Sequence, residues 1–315
     1  MAFSYPPRIF KVGKPHIQIK SMNHYCFLSK FQTMKEYIGE DVWDELKNSS
    51  VGVFLKLTDI NVTHKYIWAS SIVNFFLSHQ LAVDNIHEFW TLIDGQPLRF
   101  SLHEFKDITC LNCDPFPSEE SELCDVDYKP FWKEMKVPLG EGPSWVELVK
   151  VLKRCQKWDK EKRKMLGRLC ILHVGVYGIN HGSMISLSSA RRVFDTDRFD
   201  KYPWGRAGFT SLVNSVKVGN NEGDTYQLNG CVHVLLIWIF ESVHTVGELY
   251  GFRRDWIDVP PLLNWKGCRQ RFRFENLIAN EKAEHGQVLY YRVFMLLLSQ
   301  IHFGIVQFIL MLPQI

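Results

Sequence analysis

A mainly helical α+β fold follows from three features of the chain. Apolar residues recur at helical spacing over most of its length. Asp94-Gly95 stands between two apolar runs, as a hairpin turn does. The balance of 46% apolar and 23% charged residues is that of a globular core inside a polar shell. The 315 residues, with 22 Phe, 10 Trp and 11 Tyr, suffice for one large aromatic core.

Residues 8–20 read as extended, because His16-Ile17-Gln18-Ile19-Lys20 alternates with period two. From Phe27 to Leu46, Leu28, Phe31, Met34, Tyr37, Ile38 and Val42 lie on one helical face. Thr33 and Glu36 have capping-box spacing, which would start that helix near residue 34. Residues 64–81 repeat the pattern through Ile67, Trp68, Ile72, Phe75 and Phe76.

A small β-hairpin is expected near residues 89–100. Its runs are Phe89 to Ile93 and Gln96 to Phe100, and Gly95 accepts the positive φ of a tight turn. Pro97 cannot donate to a ladder, so its strand belongs at an edge. Ser101 and Glu104 form a capping box that sends the hairpin into a helix through Ile108.

Residues 114–143, with Glu119, Glu120, Glu122, Asp125 and Asp127 among several Pro and Gly, read as an exposed connection. Ser144 and Glu147 then start another helix, with Trp145, Leu148, Leu152, Cys155 and Trp158 on its apolar face. A second helix is expected from about Lys160 to Val174. Gly219 to Asp224 reads as a surface turn. Helices follow Pro203 and span Cys231 to Phe240, and Pro260-Pro261 breaks the chain.

The organisation expected is one domain over residues 1–286 and an atypical apolar tail over 287–315. Val293 to Ile315 contains no Asp, Glu, Lys or Arg. Its length suits a membrane span, but Ser299, Gln300, His302, Gly304 and Gln307 interrupt it. A buried terminal helix or a misread gene end is favoured over a span. Met1 to Arg8 lacks the apolar stretch of a secretory signal, so an intracellular protein is expected, the nucleus slightly favoured over the cytoplasm. The eight cysteines have irregular spacings and are expected as reduced thiols.

Net charge is only +3, too small to argue for nucleic acid by itself. The basic run Lys150, Lys153, Arg154, Lys157, Lys160, Lys162, Arg163, Lys164 and Arg168 is the one stretch suited to phosphate contact. Its bland reading is the solvated face of two amphipathic helices, compensated by the acidic loop before it. Cys110-Leu111-Asn112-Cys113 has the spacing of half a zinc site. The nearest second pair, Cys170 and His173, lies on an apolar helix, so no metal is expected. No phosphate-cradling glycine loop appears, and no cofactor is expected.

His181, Asp197, Gln227 and Cys231 occur in the chain order of a cysteine protease. Cys231 lies in an apolar run, however, where burial raises a thiol's pKa and makes it inert. No catalytic residue is assigned. Pro203-Trp204-Gly205-Arg206 is read as a structural corner. Trp204 would pack inward and Arg206 would start a helix, paired with Asp197 or Asp200. The alternative is an exposed Trp204/Arg206 pair at a protein interface.

Several ordered motifs together resemble a plant family of unknown function. They are Tyr5-Pro6-Pro7-Arg8, Trp43 to Lys47 with Gly52-Val53-Phe54, Pro97 to Phe105, Leu111-Asn112-Cys113, Phe199 to Phe209, Ile237 to Glu241, and Pro260 to Trp265. Members of that family often stand upstream of Ulp-type SUMO-protease domains in genes derived from Mutator-like transposons. The resemblance implies an interaction or scaffolding role without catalytic residues of its own. Nucleic-acid binding and a divergent protease are the alternatives. The family pattern has a small residue, usually Gly, near Cys110, where this chain departs from it. The apolar tail is a second departure.

Overall fold

The computed structural model describes residues 5–10, 21–64, 68–117, 126–218, 225–254, 256 and 258–267. The strand expected at 16–20, the turn at 219–224 and the tail at 287–315 lie outside the described residues. Short sheets are joined by many helices, as expected, and the described strands form three two-stranded sheets.

Strand β1 (Ser21–His24) leads into α1 (Leu28–Ile38), which buries Leu28, Phe31, Met34 and Ile38. Gly39, with φ 86, ends α1, and α2 (Glu40–Lys47) starts at the next residue. The single helix expected over this stretch is therefore two. Thr33 is no cap: its hydroxyl donates to the Ser29 carbonyl at 3.3 Å, inside α1.

Helix α3 (Val53–His64) has no counterpart in the sequence reading. Val53, Phe54, Leu55 and Leu57 are all buried while Val62 is exposed, so apolar residues fall on both sides of the helix and set no clean period. Helix α4 (Ser70–Ser78) is shorter than the stretch expected around it.

The hairpin stands where the turn signal puts it, as β2 (Glu88–Ile93) and β3 (Gln96–Ser101), with Phe89 opposite Phe100. Asp94 and Gly95 have φ of 48 and 79, the two positive values of a type I′ turn. Helix α5 (Leu102–Thr109) opens with the expected Ser101/Glu104 box, and Arg99 holds Glu104 from the side at 3.1 Å.

Helix α6 (Lys129–Met135) corrects the reading of 114–143 as a bare connection. Phe131, Trp132 and Met135 are buried, and the Trp132 indole donates to the Glu141 carbonyl at 2.7 Å. Seven residues are too few to show a helical period. Glu119, Glu120, Glu122 and Asp125 lie outside the described residues.

Helix α7 (Trp145–Leu152) has the Ser144/Glu147 box, and Asp159 caps α8 (Lys160–Ile171) by accepting from the Lys162 N–H at 2.8 Å. A buried π-helical segment, Leu172–Val176, extends α8. Then come α9 (Leu187–Arg191), α10 (Thr196–Lys201) and α11 (Trp204–Val218).

Strand β4 (Thr225–Leu228) pairs parallel to β1, joining distant parts of the chain. Helix α12 (His233–Ser242) is buried nearly all round, and its Trp238 meets Phe89 and Phe100 edge to face, with ring centroids at 5.6 and 5.4 Å. Helix α13 (His244–Tyr250), β5 (Gly251–Arg253), α14 (Pro261–Asn264) and β6 (Trp265–Gly267) complete the order, with β5 and β6 antiparallel. Among the described residues, no helix is long and apolar enough to cross a membrane.

Candidate functional site

The Pro203 turn is a dry corner between α10 and α11. Trp204 is 1% exposed, and its indole donates to the Phe199 carbonyl at 2.7 Å. Phe199 and Tyr202 flank it with ring centroids at 5.0 and 4.4 Å. Arg168 lies against the Phe199 ring at 4.9 Å and Arg192 against Tyr202 at 3.8 Å. Trp204 therefore packs inward, and an exposed Trp204/Arg206 pair is not what the corner presents.

Arg206 binds neither Asp197 nor Asp200. Its Nε donates to the Asp114 carbonyl at 2.6 Å and its Nη2 to the Cys113 carbonyl at 2.9 Å. Asp200 instead accepts from the Ser50 N–H and hydroxyl at 3.1 and 2.9 Å. Beside the clamp, Gly205 donates to the Asn112 carbonyl at 2.8 Å. A Cβ there would stand 2.6 Å from the Cys113 sulfur and 2.7 Å from the Asn112 oxygen, so the approach requires glycine. The corner and the Leu111-Asn112-Cys113 motif, far apart in sequence, make one unit.

Cys110, just before that motif, caps α5 in the left-handed region with φ 55. A glycine there would carry no Cβ penalty, so the position favours a small residue. Cys110 is exposed and Cys113 buried, with burial pushing the Cys113 thiol up to about 11.

The basic run is largely matched by the protein's own carboxylates. Lys160 and Lys164 both meet Glu45, Lys162 meets Glu134 at 2.9 Å, and Arg163 makes two bonds of 3.1 Å to Asp41. Arg154 donates to the Glu134 and Met135 carbonyls. Arg168 is buried and donates to the Val193 carbonyl and the Thr196 hydroxyl. Lys150, Lys153 and Lys157 point outward. Among the described residues the compensation comes from Asp41 and Glu45 of α2 and from Glu134 of α6, the last lying within the 114–143 stretch from which the sequence suggested it.

The protease-like set is not brought together. Cys231 is fully buried while His181, Asp197 and Gln227 are exposed. Among the described residues, no hydrogen bond joins Cys231 to any of them, and no group of three or more His, Cys, Asp or Glu is arranged to hold a metal.

One polar cluster escaped the sequence reading. Lys30, on the apolar side of α1, is 7% exposed, donates to the Tyr25 carbonyl at 3.0 Å and sits 5.1 Å from the Trp145 ring. Burial brings its amine down to about 8. Nearby, burial lowers His24 and His173 to about 4, and His233, on α12, to about 3. His173 lies in the π-helical segment, with Nε2 at 3.1 Å from the Ser183 carbonyl. The sequence marks His173 only as a zinc partner of Cys170, and nothing in it links the four residues, which lie far apart along the chain.

Residues 77–215 match a family described as a domain of unknown function, DUF1985. The match runs from α4 through the hairpin, both capping boxes and α8 into α11, and so includes the whole corner. No curated protein and no solved structure matches the chain.

Proposed function

We propose that this chain is a non-enzymatic interaction or scaffolding domain of a transposon-derived plant protein, and that it positions a Ulp-type protease domain on its substrate. One observation carries the reading. The motifs that carry the resemblance bind one another: Arg206 holds Cys113 and Asp114, Gly205 abuts Asn112, and Phe100 packs on Trp238. Such residues build a frame and leave recognition to the surface. Large apolar side chains are available there, with Phe252 65% and Trp256 40% exposed near the β5–β6 ribbon.

The test compares a Ulp-type protease domain alone with the same domain fused to this chain, on a SUMO conjugate. The reading expects a lower KM at unchanged kcat, and loss of the gain in Phe252→Ala/Trp256→Ala. Equal KM values for the free and fused protease would overturn it.

A further inference from the structure

Beyond the interaction surface, the fold places two thiols together where β1 and β4 end. His24 stands opposite Leu228 in that parallel pair. Cys26 follows the first strand and Cys231 the second. They are 1% and 0% exposed and both unlinked. The His233 ring meets the Cys26 carbonyl at 3.1 Å, which sets residue 26 against the start of α12, and the neighbouring Cys231 thiol together with burial pushes the Cys26 thiol well above its ordinary range. Cys155 is engaged with the Leu152 carbonyl at 3.2 Å, and Cys110 faces solvent.

We propose that Cys26 and Cys231 form a reversible disulfide that latches β1 to the entrance of α12, closed by a hydroperoxide and reopened by a dithiol. Once opening exposes the pair, one of the two sulfurs attacks a peroxide oxygen, the O–O bond breaks and water leaves, giving a sulfenic acid. The other sulfur then attacks that sulfur, the S–S bond forms, and the hydroxyl departs with the second thiol's proton as a second water. The pair loses two electrons and hydrogen peroxide is reduced to two waters.

Neither sulfur meets solvent in the closed fold, so oxidation proceeds through local opening of the β1–β4 pair. A two-stranded sheet is a weak unit, and such units open below the cost of global unfolding. Once formed, the bond closes a loop from residue 26 to residue 231 and restricts the unfolded chain. The oxidised form is therefore the more heat-resistant one.

The experiment treats the full chain with hydrogen peroxide, blocks remaining thiols and maps tryptic peptides. The expected product links Ser21–Lys30 to the peptide containing Cys231, disappears with dithiothreitol and raises Tm. Oxidation is expected to quicken in dilute urea that leaves the fold intact. A different dominant pairing, or oxidation of these sulfurs without linkage, overturns the proposal. Cys26→Ala and Cys231→Ala each remove the linked peptide; because the wild-type map stands alone, a variant that fails to fold leaves the test intact.

Discussion

Arg206 and Arg163 are both half-buried guanidiniums, and they act in different ways. Arg206 donates to two backbone carbonyls at the edge of an aromatic corner. Arg163 also donates to the Ile38 carbonyl, but its fork is directed at the Asp41 carboxylate, whose side chain is 48% exposed, at the solvent edge of α8. The part-buried Cys113 carbonyl loses a donor when Arg206 goes, whereas an exposed carboxylate is rehydrated. Local charge density in the sequence ranks the α8 face above the corner. The dependence of the fold on each region runs the other way.

The largest break in that comparison is expected at the corner's centre. Trp204→Ala removes a fully buried indole and is expected to destabilise by about 3–5 kcal/mol, read from urea unfolding. Gly205→Ala forces backbone and sulfur apart and should approach the same loss. A Trp204→Ala protein with wild-type stability would show that the corner is not part of the cooperative core.

Acid sharpens the contrast next, because α8 runs from exposed cations into the buried His173. His24, His173 and His233 have folded pKa values of about 4, 4 and 3, below the ordinary 6.5. The unfolded chain then binds protons that the folded one does not. Their stabilising contribution is complete above pH 6.5 and declines as pH falls towards 4. The slope approaches about 1.4 kcal/mol per pH unit for each histidine fully engaged. Urea midpoints measured from pH 7 to 4 check this, and His173→Asn is expected to flatten the slope.

Arg206→Met keeps much of the stem and deletes the clamp. Its expected cost is about 1–3 kcal/mol, with no dependence on salt. Cys110→Gly tests the same unit from the other side. It relieves a left-handed residue at the α5 cap and is expected to stabilise by about 0.5–1 kcal/mol in thermal unfolding.

Features whose cause is local were legible in the sequence. The Asp94-Gly95 turn needs two adjacent positive φ values, and the Ser101/Glu104 and Ser144/Glu147 boxes close within one helical turn. Helix α3 was illegible because its apolar residues run from the buried Val53–Leu55 to the exposed Val62 and so mark no single face, and α6 because it is too short to express a period. The inward Trp204 was foreseen from the turn, but not the carbonyl partners of Arg206. Those lie 92 and 93 residues away, and nothing local specifies them. Lys30 was missed for the opposite reason: it interrupts an apolar face that otherwise reads correctly.

The smallest effect on stability, and the one that sharpens the comparison most, belongs to the α8 face. Asp41→Asn with Glu45→Gln removes the carboxylates that hold Lys160, Arg163 and Lys164. Arg163 lowers the Asp41 pKa and Lys160 lowers that of Glu45, yet both carboxylates are solvated, so urea midpoints at neutral pH are expected to shift hardly at all. Their measurable role is masking of charge. The double variant is expected to bind duplex DNA more tightly than wild type. The slope of log affinity against log salt should steepen by about 0.9 for each released cation that reaches a phosphate. If wild type already binds with a steep slope that the variant leaves unchanged, the ion pairs do not mask the face, and nucleic-acid binding through Lys153, Arg154 and Lys157 becomes the better reading. If neither protein binds, the face is a solvated surface whose charges serve only to hold α8 against α2 and α6.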